Sequence, residues 1–343
     1  MVFLRAKTET IMKKNLVYAA VLVLLCVAAY YLVKSENKNT IDAQDRSFTV
    51  KDTAAITKIF LADKTGSQML LERTDQKYWV VNKKYKALHS QVNSLLKAVN
   101  RLSVRNPVPK LGIENAKKNL ATQGIKVELY TKDGLLKTFY VGGATSDTRG
   151  TFMIMEGSEL PFVVHILGWE GYLTTRFVPN EASWRSNNVF NIRDIAELGS
   201  IRLQKFGSQP QNINIQNQNG VFSAELNDKP LKINELQLQK YLQNYLNLNI
   251  EGYENQSTVR DSLIKQTPVY GLEIVPKKGS ALKMTFFNKV RIAYTSDQVA
   301  QMGLIPDPDR YFFFIASQND FGIAQKRNFD PIFEPLETAK ASK

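Results

Sequence analysis

The sequence predicts an α+β protein: an N-terminal transmembrane helix followed by two tandem repeats of an antiparallel-sheet-plus-helix unit. Three observations lead there. An uncharged run of 19 residues extends from Asn15 to Val33; the rest of the chain shows an ordered self-similarity; and its apolar residues alternate in steps of two except over one amphipathic stretch per half. With 343 residues, 43% of them hydrophobic, the chain can bury more than one core. One cysteine and two histidines exclude an internal disulfide framework and a thiolate-rich metal centre.

The run NLVYAAVLVLLCVAAYYLV, as a helix, would extend about 28 Å, close to the hydrocarbon thickness of a bilayer. Tyr18, Tyr30 and Tyr31 stand near its ends, where amphipathic rings favour the headgroup level. A cleaved signal peptide would have a shorter apolar region closing in a small-x-small site. Cys26 follows Leu25, where a lipid-attachment motif wants a small residue, so it reads as a buried apolar thiol. Arg5, Lys7, Lys13 and Lys14 precede the run, whereas Glu36, Asp42 and Asp45 accompany Lys34 and Lys38 after it. The expected topology is therefore single-pass in the inner membrane: a cytoplasmic N-terminus over 1–14, a span over 15–33, a polar tether over 34–50 and periplasmic domains beyond.

The self-similarity places the remaining elements. Ile56, Ile59 and Leu61 recur as Leu198, Ile201 and Leu203, and the Trp79-Val80-Val81 strand has its counterpart at Val221-Phe222. Val92, Leu95, Leu96, Val99 and Leu102 form a helical face that recurs as Leu238, Tyr241, Leu242, Tyr245 and Leu248, with Asn234 placed to cap the second helix. VELYTKDG at 127–134 matches LEIVPKKG at 272–279, each a strand running into a glycine turn. Later strands are expected at Thr151–Met155 with Phe162–Ile166, and at Tyr311–Ala316 with Gly322–Gln325. The expected units are 51–180 and 181–336, with a flexible tail over 337–343.

This pattern resembles a family of bacterial membrane-anchored proteins of unknown function. The residues that carry the resemblance are Ile56, Ile59 and Leu61; Trp79-Val80-Val81; Leu95-Leu96; Val141-Gly142; and Val189-Phe190 ahead of Ile195 and Leu198-Gly199. Members of that family often accompany ABC-type export systems of the gliding-motility type, which implies an accessory role with protein partners in an envelope complex. The resemblance brings no catalytic residues and no cofactor. The second copy departs from it, with Val221-Phe222 for the tryptophan strand and Asn288 where the first copy has Gly142.

Enzyme signatures are sparse, so a non-catalytic protein is expected, with an enzyme of unrecognised type the least favoured reading. Gly142-Gly143-Ala144-Thr145-Ser146 lacks the spacing and the lysine of a phosphate loop and reads as a strand-connecting turn. Asp307-Pro308-Asp309 lacks the third acid and the glycine of a calcium loop. The run Tyr311-Phe312-Phe313-Phe314 puts Phe312 and Phe314 on one strand face and Tyr311 and Phe313 on the other; if both are covered, a partner is one source of the second covering. Of the net charge of +13, eight units fall in 83–118, where nine basic residues face Glu114 alone. Lys83, Lys84, Lys86, Lys97, Arg101 and Arg105 are the candidate contact for anionic lipid headgroups, envelope polysaccharide or an acidic partner, with Lys97, Arg101 and Arg105 standing four apart in one stripe along the helix flank. Tyr78, Trp79 and Tyr85 lie nearby. No nucleic-acid-binding motif accompanies the charge, so nucleic acid is not expected as a partner.

Overall fold

The computed structural model describes residues 20–30, 43–75, 78–290 and 306–338. A helix over 20–30 (α1) comes first. Strands β1 (Lys58–Ala62), β2 (Gln68–Arg73), β3 (Trp79–Val81) and β4 (Tyr85–Lys86) then lead to helix α2 (His89–Arg101). They are followed by β5 (Leu102–Pro107), α3 (Ile113–Gln123), β6 (Ile125–Thr131), β7 (Gly134–Ala144), β8 (Thr151–Met155) and β9 (Phe162–Ile166). The chain continues through α4 (Glu181–Trp184), β10 (Asn188–Asn191), β11 (Leu198–Lys205), β12 (Gln211–Gln218), β13 (Val221–Leu226), β14 (Lys229–Pro230) and α5 (Glu235–Leu242). It closes with β15 (Asn247–Asn249), β16 (Gly252–Tyr253), α6 (Arg260–Leu263), β17 (Tyr270–Pro276), β18 (Leu282–Val290), β19 (Pro306–Ile315), β20 (Asp320–Gln325) and α7 (Lys326–Thr338).

The transmembrane helix expected over 15–33 is overturned: no helix among the described residues is long and apolar enough to cross a membrane. Helix α1 would extend only about 16 Å against a hydrocarbon layer of about 30 Å. The remainder of the expected span, 15–19 and 31–33, lies outside the described residues, as do 34–42 of the tether and 339–343 of the tail. Cys26 lies on the exposed surface of α1. The α+β class is corrected too, because large antiparallel sheets dominate, with 41% strand against 26% helix among the described residues. The physical reason shows at the helix ends. Leu102 and Leu248 complete the helical spacing in the sequence, but their backbones join β5 and β15, where they pair with Ile166 and Phe190.

The chain divides into two compact units, the first comprising 1–51, 99–125 and 138–175 and the second 52–98, 126–137 and 176–343. In the first, strands run in the order β7-β8-β9-β5. Phe48 and Val50, at the end of the expected tether, are core residues here. Phe48 is 1% exposed and meets Phe139 and Phe162 edge-on, with ring centres 6.0 and 6.2 Å away. Helix α3 packs on the strands through Ala116 and Leu120. That packing sets the glycines of β7: the Asn119 side chain accepts a hydrogen bond from the Gly143 N–H at 2.6 Å, and a Cβ on Gly142 would stand 2.7 Å from the same oxygen. Gly142 and Gly143 therefore admit a helix and not a phosphate.

In the second unit, the order β4-β3-β2-β1-β6 is found together with a nine-stranded sheet, β14-β13-β12-β11-β17-β18-β19-β20-β16, and a small β10-β15 pair. The first five strands of the nine-stranded sheet repeat the connectivity of β4 to β6, and its last four repeat that of the first unit's strands. The registers correspond as well: Leu61 opposes Val127 and Ile59 opposes Leu129, while Leu203 opposes Leu272 and Ile201 opposes Ile274. A turn device also recurs. Asn82 and Asn227 adopt positive φ, and each accepts a hydrogen bond on its side-chain oxygen from a strand amide, Leu70 or Asn212. Asn234 caps α5 through the Leu236 and Gln237 amides. The core of this sheet is closed by α7, whose Phe329, Ile332 and Phe333 are buried against Tyr270, Phe286 and Tyr311. On the opposite face of β19, Phe312 packs with Phe287, Phe321, Leu263 and Ile264, so the chain's own α6 segment supplies the second covering of the aromatic run.

Phe48→Ala removes a fully buried ring and should cost about 3–5 kcal/mol, read as a lowered midpoint in urea unfolding of the full chain. If Phe48 were part of a solvated tether instead, the midpoint would not move.

Candidate functional site

The site lies in the second unit and starts from a short polar segment. Asn180 caps α4 by accepting a hydrogen bond from the Ala182 N–H at 3.0 Å, and Trp184 ends that helix buried, its Nε1 donating to the Val178 carbonyl at 2.8 Å. The chain then lies along β4 as an extra strand, with Leu88 N–H donating to the Trp184 carbonyl and Ser186 N–H to the Lys86 carbonyl. A bridge between Ala87 and Arg185 sits between them. Two residues on, Ile250 N–H donates to the Asn187 carbonyl, and the Asn187 amide donates to the Glu251 carbonyl.

This geometry buries Arg185, 2% exposed, against Asp320, 1% exposed. The pair is bidentate, Nη1 to Oδ1 at 2.8 Å and Nη2 to Oδ2 at 2.5 Å. The guanidinium lies between two rings, its carbon 3.5 Å from the centre of Tyr85 and 3.8 Å from that of Tyr253. Asn255 donates to Asp320 Oδ1 at 3.0 Å and accepts from the Phe321 N–H, and the Tyr253 hydroxyl donates to the Ser186 carbonyl. Burial acts to lower the Arg185 pKa, but the Asp320 hydrogen bond and the surrounding charges outweigh it, so the guanidinium stays charged. For Tyr253 burial raises the phenol pKa against the opposing pull of Arg185. Arg185 Nε is buried with no acceptor, an unspent donor of a kind that costs about 1–3 kcal/mol.

Beside this pair opens a cleft of about 970 Å³, walled by Gln68, Asn82, Asn180, Glu181, Arg185 and Asn255 among others. Asn82 spans it locally, donating to Glu181 Oε2 at 2.7 Å while its own oxygen is held by Leu70 N–H. Glu181 Oε1 stands 3.9 Å from Arg185 Nη1.

The basic residues expected from sequence fall into separate groups. Lys83, Lys84 and Lys86 share the β3–β4 hairpin and are exposed, with Lys83 at φ 58°, Lys84 4.7 Å from the Tyr85 ring centre and Lys86 5.9 Å from that of Tyr78. The Tyr85 phenol raises the Lys84 pKa. Lys97 is exposed on α2. Arg101 ends that helix and donates to the Leu167 carbonyl, and Arg105 lies beyond it in β5, paired with Asp147 at 3.2 Å in the open. The stripe of Lys97, Arg101 and Arg105 is thus not one helical surface. Asp307 lies within β19 and not in a turn ahead of it; it holds Lys289 at 3.4 Å and accepts from the Asp309 N–H, and although burial would raise its pKa these contacts lower it overall. Among the described residues no group of three or more His, Cys, Asp or Glu is arranged to hold a metal ion. His89 opens α2 with its Nε2 2.8 Å from the Asn93 amide nitrogen.

Sequence reasoning missed Arg185, Tyr253, Asn255 and Asp320. The two charged partners are separated by 135 positions, and the only local trace is a Trp-Arg pair inside a polar run. An α-and-strand reading of either neighbourhood leaves them as surface residues.

A strand-rich chain with this internal ion pair and cleft defines a structural class without a named activity. The chain belongs to the DUF4340 family, a domain of unknown function, which matches residues 79–268. That match includes Tyr85, Arg185, Tyr253 and Asn255 and stops short of Asp320. No curated protein and no solved structure matches the chain.

Asp320→Ala leaves a buried guanidinium without its counter-charge and should cost about 3–5 kcal/mol in urea unfolding. The double variant Arg185→Met/Asp320→Leu should recover most of that loss, because neither charge then has to be desolvated. Equal instability of the single and double variants would show that the pair is not what holds this region.

Proposed function

We propose that the protein is a non-catalytic accessory or scaffold component of an export or motility-type complex at the bacterial envelope. Its partners are other proteins of that complex, and it is anchored at the inner membrane with its main part on the periplasmic side. The observation that carries this reading is the β3–β4 hairpin. Asn82 fixes the turn with two hydrogen bonds, and Tyr85 is held against Arg185, so three exposed lysines project from a base that is already ordered. A partner that docks there does not have to order the backbone, which is a large part of the cost of association. The interior charges support a scaffold: Arg185 is committed to Asp320 and Lys289 to Asp307. The exposed apolar side chains of α1, Leu24 at 70% among them, support contact with a membrane surface.

A second reading is favoured by the same hairpin: three exposed lysines, with Lys84 beside Tyr85 and Lys86 beside Tyr78, suit an anionic lipid headgroup or envelope polysaccharide. The two separate in one experiment. Cross-linking in intact cells should recover transporter subunits with the unaltered protein and about tenfold less with Lys83→Glu/Lys84→Glu/Lys86→Glu. Unchanged recovery with the triple variant sinks the docking reading. Salt-sensitive binding to dextran sulfate that the triple variant loses, with no subunit recovered in either case, replaces it with the second.

A further inference from the structure

We propose that the cleft beside Arg185 binds a neutral, hydroxyl-rich ligand of the saccharide class. This goes beyond the docking role, and the hairpin lysines Lys83, Lys84 and Lys86 do not line the cleft. At about 970 Å³ the cleft is at the upper end of the size range of small-ligand sites. Its wall is unusual for such a site in being built from planar polar groups, among them Gln68, Asn82, Asn180, Glu181, Asn255 and Gln256. A carboxamide presents a donor and an acceptor side by side, and a carboxylate two acceptors. These are the complements of hydroxyls that both donate and accept.

The wall is also fixed in advance. Asn82 is held at both ends, by Leu70 N–H and Glu181, and Asn255 at both ends, by Phe321 N–H and Asp320. Each amide nitrogen keeps a second proton beyond those bonds. Arg185 lies in the cleft wall, but its guanidinium is held between Tyr85 and Tyr253 and bonded to Asp320, so the polar contacts open to a ligand come from the amides around it. The charges argue against ionic ligands. The positive charge of Arg185 is cancelled by Asp320, and an anion entering the cleft meets Asp63, Glu181 and Glu254. Two of the three carboxylates that a cation would meet are already engaged: Asp63 Oδ1 accepts from Thr65 N–H, the Thr65 hydroxyl and Ser67 N–H, and Glu181 accepts from Asn82.

The test uses the full chain and two neutral probes, chitotetraose and maltotetraose, followed by saturation-transfer NMR and titration. At least one probe should bind saturably and without sensitivity to salt. Binding should weaken about tenfold in Gln68→Ala/Gln256→Ala, two exposed positions whose thermal unfolding is expected to be unchanged, and persist in the lysine-hairpin triple variant. The proposal is overturned if neither probe binds, if the double variant binds as well as the unaltered chain, or if an oligolysine peptide displaces the probe in a salt-sensitive manner.

Discussion

The arrangement of the second unit depends on one buried charge pair, Arg185 with Asp320. Desolvating each ion costs several kcal/mol, so such a pair is a poor source of stability unless its geometry is close to ideal. Here the fork of the guanidinium matches the carboxylate bidentately, and Tyr85 and Tyr253 cover its faces. Asn255 takes up a further lone pair of Asp320. The gain is one of specificity: the pair can form in one register only, and it draws together β4, the 184–188 segment, β16 and the start of β20. Lysine could not do the same, because it lacks both the planar fork and the stacking surface.

Around that knot the chain uses one connectivity twice and departs from it where packing differs. The strand order β4-β3-β2-β1-β6 followed by β7-β8-β9-β5 has its counterpart in β14-β13-β12-β11-β17 followed by β18-β19-β20-β16. Gly142 is required because Asn119 and Leu120 of α3 press on β7. Its counterpart Asn288 is exposed on β18, and the α6 segment, where the second copy has its helix before the central strand, is only four residues long.

Much of the sheet framework was legible because period-two alternation and local turn chemistry decide it. Ile59 with Leu61 and Ile201 with Leu203 mark the core faces of β1 and β11, the strands β8 and β9 fall where the alternation places them, and Asn234 caps its helix. What was not legible falls into three kinds. The lengths of α2 and α5 were overread, since Leu102 and Leu248 satisfy helical spacing yet their backbone groups bond to strands. Helix α7 was missed although Phe329, Ile332 and Phe333 have helical spacing, because Pro331 and Pro335 interrupt the pattern. The apolar run over 15–33 was read as a span from composition, whereas its described part is the helix over 20–30. The candidate site was the least visible: hairpin lysines stand out as a charge cluster, but an ion pair 135 residues apart leaves no periodic signal.

The central claim is that Arg185 and Asp320 hold two sheet edges together through one guanidinium, so loosening the guanidinium should release both edges at once. Amide hydrogen exchange in Arg185→Lys tests this most directly. The account predicts a joint loss of protection at Leu88 and Ser186 on the β4 side and at Ile250 and Phe321 on the β16–β20 side, with the buried strands β1 and β11 still protected. Protection lost on one side only, or on neither, would contradict it.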